Sequence, residues 1–183
     1  QVSEVFFLLD MTGSMNSNKY GTIDAFNEYV GGLKADGATA DFRFSLAVFN
    51  SAIGIGLNIE SGNISDVPDL DEWNYVPRAS TPLYDAIGLS IDSLKDMKDS
   101  VLFIILTDGE ENSSTRYGKD DITQKISSKS EAGWEFVFLG CDIDAMKQGQ
   151  AIGIDRDNAK SYDRLDSRVA MMDVADHTIA YAK

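Results

Sequence analysis

Apolar residues fall along this chain in two rhythms. Residues 3–10, SEVFFLLD, make a nearly unbroken apolar run that stops at Asp10, as in a central parallel strand covered on both faces. From Ser17 to Ala35, Ile23, Phe26, Val30 and Leu33 recur at spacings of three and four, which predicts a helix with one apolar face. Gly31 and Gly32 lie within it and mark either a close contact or an early end. Residues 41–49, DFRFSLAVF, predict a second strand. In 52–60, AIGIGLNIE, Ile53, Ile55, Leu57 and Ile59 share one face. That alternation predicts a half-exposed edge strand, joined to its predecessor by a hairpin around Asn50 and Ser51. The polar connection over 61–80 holds two prolines, and Trp73 is its expected anchor.

The second half repeats the alternation. Leu83, Ile87, Ile91 and Leu94 predict a helix to about Met97, with Thr81 as its cap and Pro82 as its first residue. VLFIIL, 101–106, is the most emphatic core strand. Ile122 and Ile126 support a weaker helix over 120–132, ended by Gly133. WEFVFLG, 134–140, predicts a further strand, followed by a short helix over 143–150 and a small strand at AIGI, 151–154. A final helix over about 159–181 would use Leu165, Val169, Met172 and Ile179.

Strands alternating with helices predict a three-layer α/β/α doubly wound sheet, mostly parallel, with one antiparallel edge strand. A chain of 183 residues suits one domain, 1–183. In such sheets ligands bind at the carboxyl ends of the strands, where strand order reverses. Three polar groups fall at junctions of that kind. Asp10, Thr12 and Ser14 follow the first strand, Ser80 and Thr81 precede the helix near 82, and Thr107, Asp108, Gly109 and Glu110 end the strong strand.

Composition narrows what these groups can do. Acidic residues outnumber Lys and Arg by 30 to 16, a net charge of −14 that repels nucleic acid and anionic lipid and favours cations. The single cysteine, Cys141, forms no intrachain disulfide framework and fits a reducing compartment, so a cytoplasmic location is favoured, with extracellular and virion-associated settings as alternatives. No apolar stretch reaches the roughly 18 residues of a membrane span. The chain starts at Gln1, almost directly in a strand, as an excised domain or processed product would.

Two carboxylates and three hydroxyls make a hard, all-oxygen set, without the imidazole or thiolate preferred by zinc or copper. Magnesium takes about six oxygens and keeps waters among them. Thr12, Ser14 and Thr81 are the candidate direct ligands, while Asp10 and Asp108 bind directly or through water. A cation held by few direct carboxylates keeps charge with which to attract an outside Asp or Glu.

The pattern resembles the von Willebrand factor type A domain, the integrin I-domain-like fold, with its metal-ion-dependent adhesion site. DMTGSM matches that site's first motif at Asp10, Thr12 and Ser14, STPLYDAI its second loop at Thr81, and ILTDGE the loop carrying its last aspartate at Asp108. Thr12 departs from the usual serine. The resemblance covers nearly the whole chain through FVFLG and is loose beyond about 151. It implies a non-enzymatic, metal-dependent protein-binding module using Mg2+, with Mn2+ or Ca2+ as substitutes. Its implied partner presents Asp or Glu. The cysteine-poor format is similar to microbial and phage members, some of which work with AAA+ ATPases or in larger assemblies.

The chief rival is a magnesium-dependent phosphoryl-transfer enzyme attacking through Asp10. It wants a carboxylate two positions on, where Thr12 stands. A metal-free structural subunit is the other alternative. No phosphate-binding glycine loop occurs, and the only histidine, His177, reads as a surface residue of the last helix. Glu110 and Glu111 read as loop carboxylates beside the ion, Asp142 and Asp144 as helix caps, and Cys141 as buried.

Overall fold

A computed structural model of the chain describes residues 2–97, 100–162 and 167–182. Among these residues six strands form one sheet: β1 (Val2–Asp10), β2 (Arg43–Asn50), β3 (Gly54–Asn63), β4 (Ser100–Thr107), β5 (Glu135–Gly140) and β6 (Ala159–Ser161). Their order is β3-β2-β1-β4-β5-β6, all parallel except β3, which runs antiparallel to β2 at one edge. Among the described residues five α-helices cover the sheet: α1 (Lys19–Ala35), α2 (Leu83–Ser93), α3 (Lys119–Glu131), α4 (Ile143–Ala151) and α5 (Ser167–Ala182).

The continuous apolar runs follow from burial on two sides. Val5, Phe7 and Leu9 of β1 face a core shared with α1 and α5, which contribute Phe26, Tyr29, Met171 and Val174. Phe6 and Leu8 face the opposite core with Ile87 of α2 and Ile122 and Ile126 of α3. β4 divides in the same way, with Leu102, Ile104 and Leu106 on the first side and Val101, Phe103 and Ile105 on the second. A strand with no solvent face has no reason to alternate in polarity.

Several local expectations need correction. The first helix is preceded by a 3-10 segment, Gly13–Asn18, and Gly32 is a close contact: a Cβ there would lie 3.0 Å from the Cβ of Ala175 in α5. β3 does not keep one apolar face. Its pairing with β2 shifts between Leu46 and Ala47, so Asn58 is passed over, Ile59 packs against the first core and Ile55 against the second. Ile53 and Leu57 remain exposed. Such a bulge reverses the side-chain alternation beyond it.

Residues 151–154 end α4 and turn rather than forming a strand; the last strand is instead β6, which pairs with β5 from Phe138 opposite Ala159. α5 buries Met171, Val174, Ala175 and Thr178, while Met172 is exposed. Leu165 and the Val169 side chain lie outside the described residues. His177 is half-buried rather than on the surface, with Nε2 2.9 Å from Glu135 Oε1.

Trp73 is not the anchor of the long connection: it is 82% exposed. Tyr75 takes that role, fully buried in the first core, with its hydroxyl donating to the Asp10 carbonyl at 2.5 Å.

Candidate metal centre

Chain order changes direction between β1 and β4, since α1 leads to β2 on one side and α2 leads to β4 on the other. A crevice therefore opens beyond their carboxyl ends. β1 closes with Asp10 and β4 with Thr107, in strands paired up to Leu9 opposite Leu106. The first and third polar loops thus leave the sheet side by side.

Asp10 is fully buried. Its Oδ1 accepts the Thr12 backbone N–H at 2.8 Å and its Oδ2 accepts the Thr107 hydroxyl at 2.7 Å. Burial pushes its pKa up to about 6; hydrogen bonds from Thr12 and Thr107 pull it partly back, and the Asp108 charge adds to the rise. Thr12 and Ser14 hydroxyls lie 3.3 Å apart, and Ser14 donates a short hydrogen bond to Asp108 Oδ2. Asp108 also accepts the Glu110 N–H at 3.1 Å. Gly109 makes this turn with φ +82, and a Cβ there would come within 2.8 Å of Ala145 Cα, so both backbone conformation and space call for glycine.

The second loop is tied to both others. Gly13 N–H donates to the Ala79 carbonyl at 2.8 Å and Arg78 N–H to the Met11 carbonyl at 3.1 Å. A Cβ at Gly13 would sit 3.2 Å from that Ala79 oxygen, so glycine permits the approach. Ala79 itself takes φ 67, a conformation L residues avoid, which these contacts hold in place. On the other side, Thr81 N–H donates to Asn112 Oδ1 at 2.8 Å, and Asn112 N–H donates to the Thr81 carbonyl at 3.0 Å. Asp10, Thr12, Ser14, Thr81 and Asp108 therefore belong to one hydrogen-bonded set of loops.

Thr81 is not the expected helix cap. α2 begins at Leu83, with Pro82 at the cap position and no capping side chain of its own. Its first N–H groups are met from the third loop: Glu111 Oε1 accepts Tyr84 N–H at 3.0 Å and Ser114 Oγ accepts Asp85 N–H at 3.0 Å. That substitution leaves the Thr81 hydroxyl without a hydrogen bond among the described residues, although the residue is only 1% exposed.

The donor set fits a hard divalent cation. Two carboxylates lie within electrostatic reach of each other, one of them fully buried, and burial, hydrogen bonds and like charge shift the titration of Asp10. Among the described residues no group of three His, Cys, Asp or Glu suited to a metal occurs.

Sequence reasoning placed Thr107 at this edge without giving it a role and missed the other supporting residues. Thr107, Asn112 and Tyr75 each bond to a candidate ligand, and Asn50 Nδ2 donates to the Met11 carbonyl at 3.1 Å. Thr107 carried a signal, as a hydroxyl at the last position of an otherwise apolar strand. Glu111 spends its carboxylate on α2 and on Ser114 rather than on an ion. Asp142 caps α4, its Oδ1 accepting Ala145 N–H at 2.7 Å. With Asp108, Glu110 and Asp144 it also borders an open cleft of about 700 Å³. Cys141 is buried as expected and lies 2.8 Å from the Tyr162 hydroxyl.

No protein-family model and no curated protein matches the chain. Solved structures do. A pilus adhesin, SpaC of Lactobacillus rhamnosus GG, superposes with TM-score 0.70 at 15% identity over 100% of this chain and 30% of its own. Proximal thread matrix protein 1 of the mussel byssus, with a zinc-occupied MIDAS motif, gives 0.67 at 14% identity over 97% of this chain and 46% of its own. Manganese-loaded TRAP of Plasmodium vivax gives 0.63 at 17% identity over 95% and 73%. The chain thus spans less than half of the first two proteins. At these identities the likeness carries the architecture, and the fold is that of the von Willebrand factor type A domain.

Proposed function

We propose that the chain is a non-enzymatic, metal-dependent protein-binding module whose site is Asp10, Thr12, Ser14, Thr81 and Asp108. The observation that carries this reading is the convergence of three loops, hydrogen-bonded to one another beyond β1 and β4, with an unused Thr81 hydroxyl among them. Thr12, Ser14 and Thr81 supply neutral oxygens. Asp10, with both carboxylate oxygens already accepting protein hydrogen bonds, acts through water. Asp108 is the remaining carboxylate and exchanges its contact with Ser14 for the ion or for an ion-bound water. Magnesium suits this hard set, with manganese or calcium as substitutes. When bound, the cation supplies the positive charge that a partner's Asp or Glu completes.

Two features support binding over phosphoryl transfer. Asp10 is fully buried with both oxygens engaged, so it presents no nucleophile, and Thr12 replaces the acid that such chemistry needs. Two neighbours have divalent metal in their names, zinc in a MIDAS motif and manganese, which supports an ion here. Among the described residues no helix is long and apolar enough to cross a membrane. Neighbours whose names give a setting include a pilus adhesin, a byssal thread protein and an aerotolerance-related membrane protein; they give the expected cytoplasmic location no support, and an extracellular role is the better reading.

Isothermal titration with Mg2+ and Mn2+ tests the site: one site in the wild type, weakened at least about tenfold in Asp108→Ala, with circular dichroism unchanged. Equal binding by both proteins refutes the assignment.

A further inference from the structure

Toward the amino end of the sheet, away from the metal centre, a carboxylate is buried without a cation. Glu4 of β1 is 3% exposed, and among the described residues it takes part in no ion pair. Its Oε1 accepts the Ser45 hydroxyl at 2.5 Å, while its Oε2 accepts no hydrogen bond among the described residues. A carboxylate taken out of water is costly unless charge or several donors meet it, and one hydroxyl leaves an oxygen unmet.

That one bond is set by a bulge in β3. Phe44 pairs with Gly62 and Leu46 with Ile59, so Glu60 and Ser61 stand together opposite Ser45. Ser61 takes φ 49, which L residues avoid, and its N–H donates to Ser45 Oγ at 2.9 Å. Ser45 thus accepts from β3 and donates to Glu4, and the strained residue fixes how the carboxylate is held.

Glu4 lines a cleft of about 350 Å³ between the end of α2 and the β3 edge. Phe6, Leu57, Leu94 and Met97 supply apolar walls, and Glu60 and Asp96, both exposed, stand at its rim. α2 ends at Ser93 and Leu94, which also line the cleft, so the carbonyl end of the helix adds negative potential. No Lys, Arg or His is among the described lining residues. Arg43, opposite Glu4 in the strand register, donates instead to Asn63 Oδ1 at 2.7 Å, and Lys98 lies outside the described residues.

These features select among ligands. Three carboxylates and a helix carboxyl end repel an anion, and a neutral apolar ligand would leave Glu4 Oε2 unmet. Among the described residues no three acids are grouped closely enough to hold a metal ion, so the complement is an organic cation. A guanidinium fork asks for both oxygens of a carboxylate, and Ser45 already holds one of them. An ammonium needs a single oxygen, and an alkyl stem suits the apolar walls.

We propose that this cleft is a binding site for a small free aliphatic amine, its ammonium on Glu4 and its stem along Phe6, Leu57 and Leu94. It is independent of the metal-dependent reading, since Glu4 and Asp10 are separated by six residues of one extended strand, about 20 Å.

The test is a nuclear magnetic resonance titration of the labelled protein with pentylamine, 1-pentanol and pentanoate, in the millimolar range expected of so small a ligand. Pentylamine should move the Ser61 amide in a saturable way, equally in Mg2+ and in EDTA; 1-pentanol should bind at least about tenfold more weakly, and pentanoate not at all. Glu4→Gln keeps an acceptor for Ser45 and removes the charge, so it should weaken pentylamine at least about tenfold and leave 1-pentanol unchanged. The three ligands decide the matter on the wild type even if that variant does not fold. Equal binding of amine and alcohol, no binding of the amine, or binding indifferent to Glu4→Gln overturns the proposal. Amine binding that appears only in Lys98→Ala also overturns it, assigning the cleft to the chain's own lysine, as does a lysine peptide that binds there when pentylamine does not.

Discussion

Replacing Thr81 by Val separates a structural role from a ligand role in one experiment. The side chain keeps its branched shape and loses only the hydroxyl, which makes no hydrogen bond among the described residues, because Glu111 and Ser114 cap α2 instead. In chelator the variant should therefore melt at or slightly above the wild-type temperature, since no protein hydrogen bond is broken and apolar surface is gained in a site that is 1% exposed. A capping threonine would behave differently: its loss costs about 1 kcal/mol, or about 2–4 °C in a chain of this size. With metal the order should reverse. At a concentration near a hundred times its Kd, the ion stabilises the wild type by about 2.7 kcal/mol, and a tenfold weaker site gains only about 1.4 kcal/mol. Differential scanning fluorimetry in EDTA and in Mn2+ reads both quantities on the same samples. A fall in Tm in EDTA together with an unchanged metal shift would refute the reasoning.

Other expectations concern separate parts of the fold. Asp85 accepts the N–H groups of Thr115, Arg116 and Tyr117 at 2.9, 2.9 and 3.0 Å; burial raises its pKa, but these bonds outweigh it and hold the carboxyl below its ordinary value. A depressed folded value means that its stabilisation is full above the unfolded pKa, about 4, and is lost as pH falls through the lower folded value. The urea-midpoint gap between wild type and Asp85→Asn should thus be wide at neutral pH and shrink below about pH 4; a gap constant with pH contradicts this. Burial pushes the Cys141 thiol up to about 12, with bonds from Tyr162 and Asn18 opposing and the charges of Asp108 and Asp10 adding to the rise. Ellman's reagent at mildly alkaline pH should react slowly with the native protein and rapidly in denaturant, and equal rates would contradict the burial. Gly31→Ala, at an exposed helix position with open space, should stabilise by about 0.5–1 kcal/mol. Gly149→Ala, whose Cβ would press within 2.4 Å of the Phe138 ring, should destabilise by about 1–3 kcal/mol in urea melts.

What the sequence makes legible follows from how strongly each feature is dictated locally. β1 and β4 are covered on both faces, so their runs are apolar throughout and end abruptly where the crevice begins, at Asp10 and Thr107. That ending is also why Asp10, Thr12, Ser14 and Asp108 stand out. Thr81 stands out for a reason the structure replaces: Thr before Pro and an apolar period is a cap signal, and only the fold reveals that Glu111 and Ser114, some thirty residues on, cap the helix. The bulge in β3 is equally hidden, because Ile-Gly-Leu-Asn-Ile alternates perfectly and only pairing with β2 decides that Asn58 is skipped. Trp73 does not take its expected place as anchor because hydrophobicity alone ranks the indole first, whereas the buried seat beneath the loop is filled by Tyr75, whose hydroxyl reaches the Asp10 carbonyl. β6 is only three residues long, shorter than any periodicity can register.

The central claim is that one ion sits where the three loops meet. Anomalous diffraction from a Mn2+-soaked crystal measures this most directly. The account predicts a single strong peak among the Thr12, Ser14 and Thr81 hydroxyl oxygens, with about six oxygens around it, Asp10 behind a water and Asp108 direct or one water away. A peak only in the Glu110–Asp144 cleft, or no peak at a concentration that saturates the calorimetric site, would contradict it.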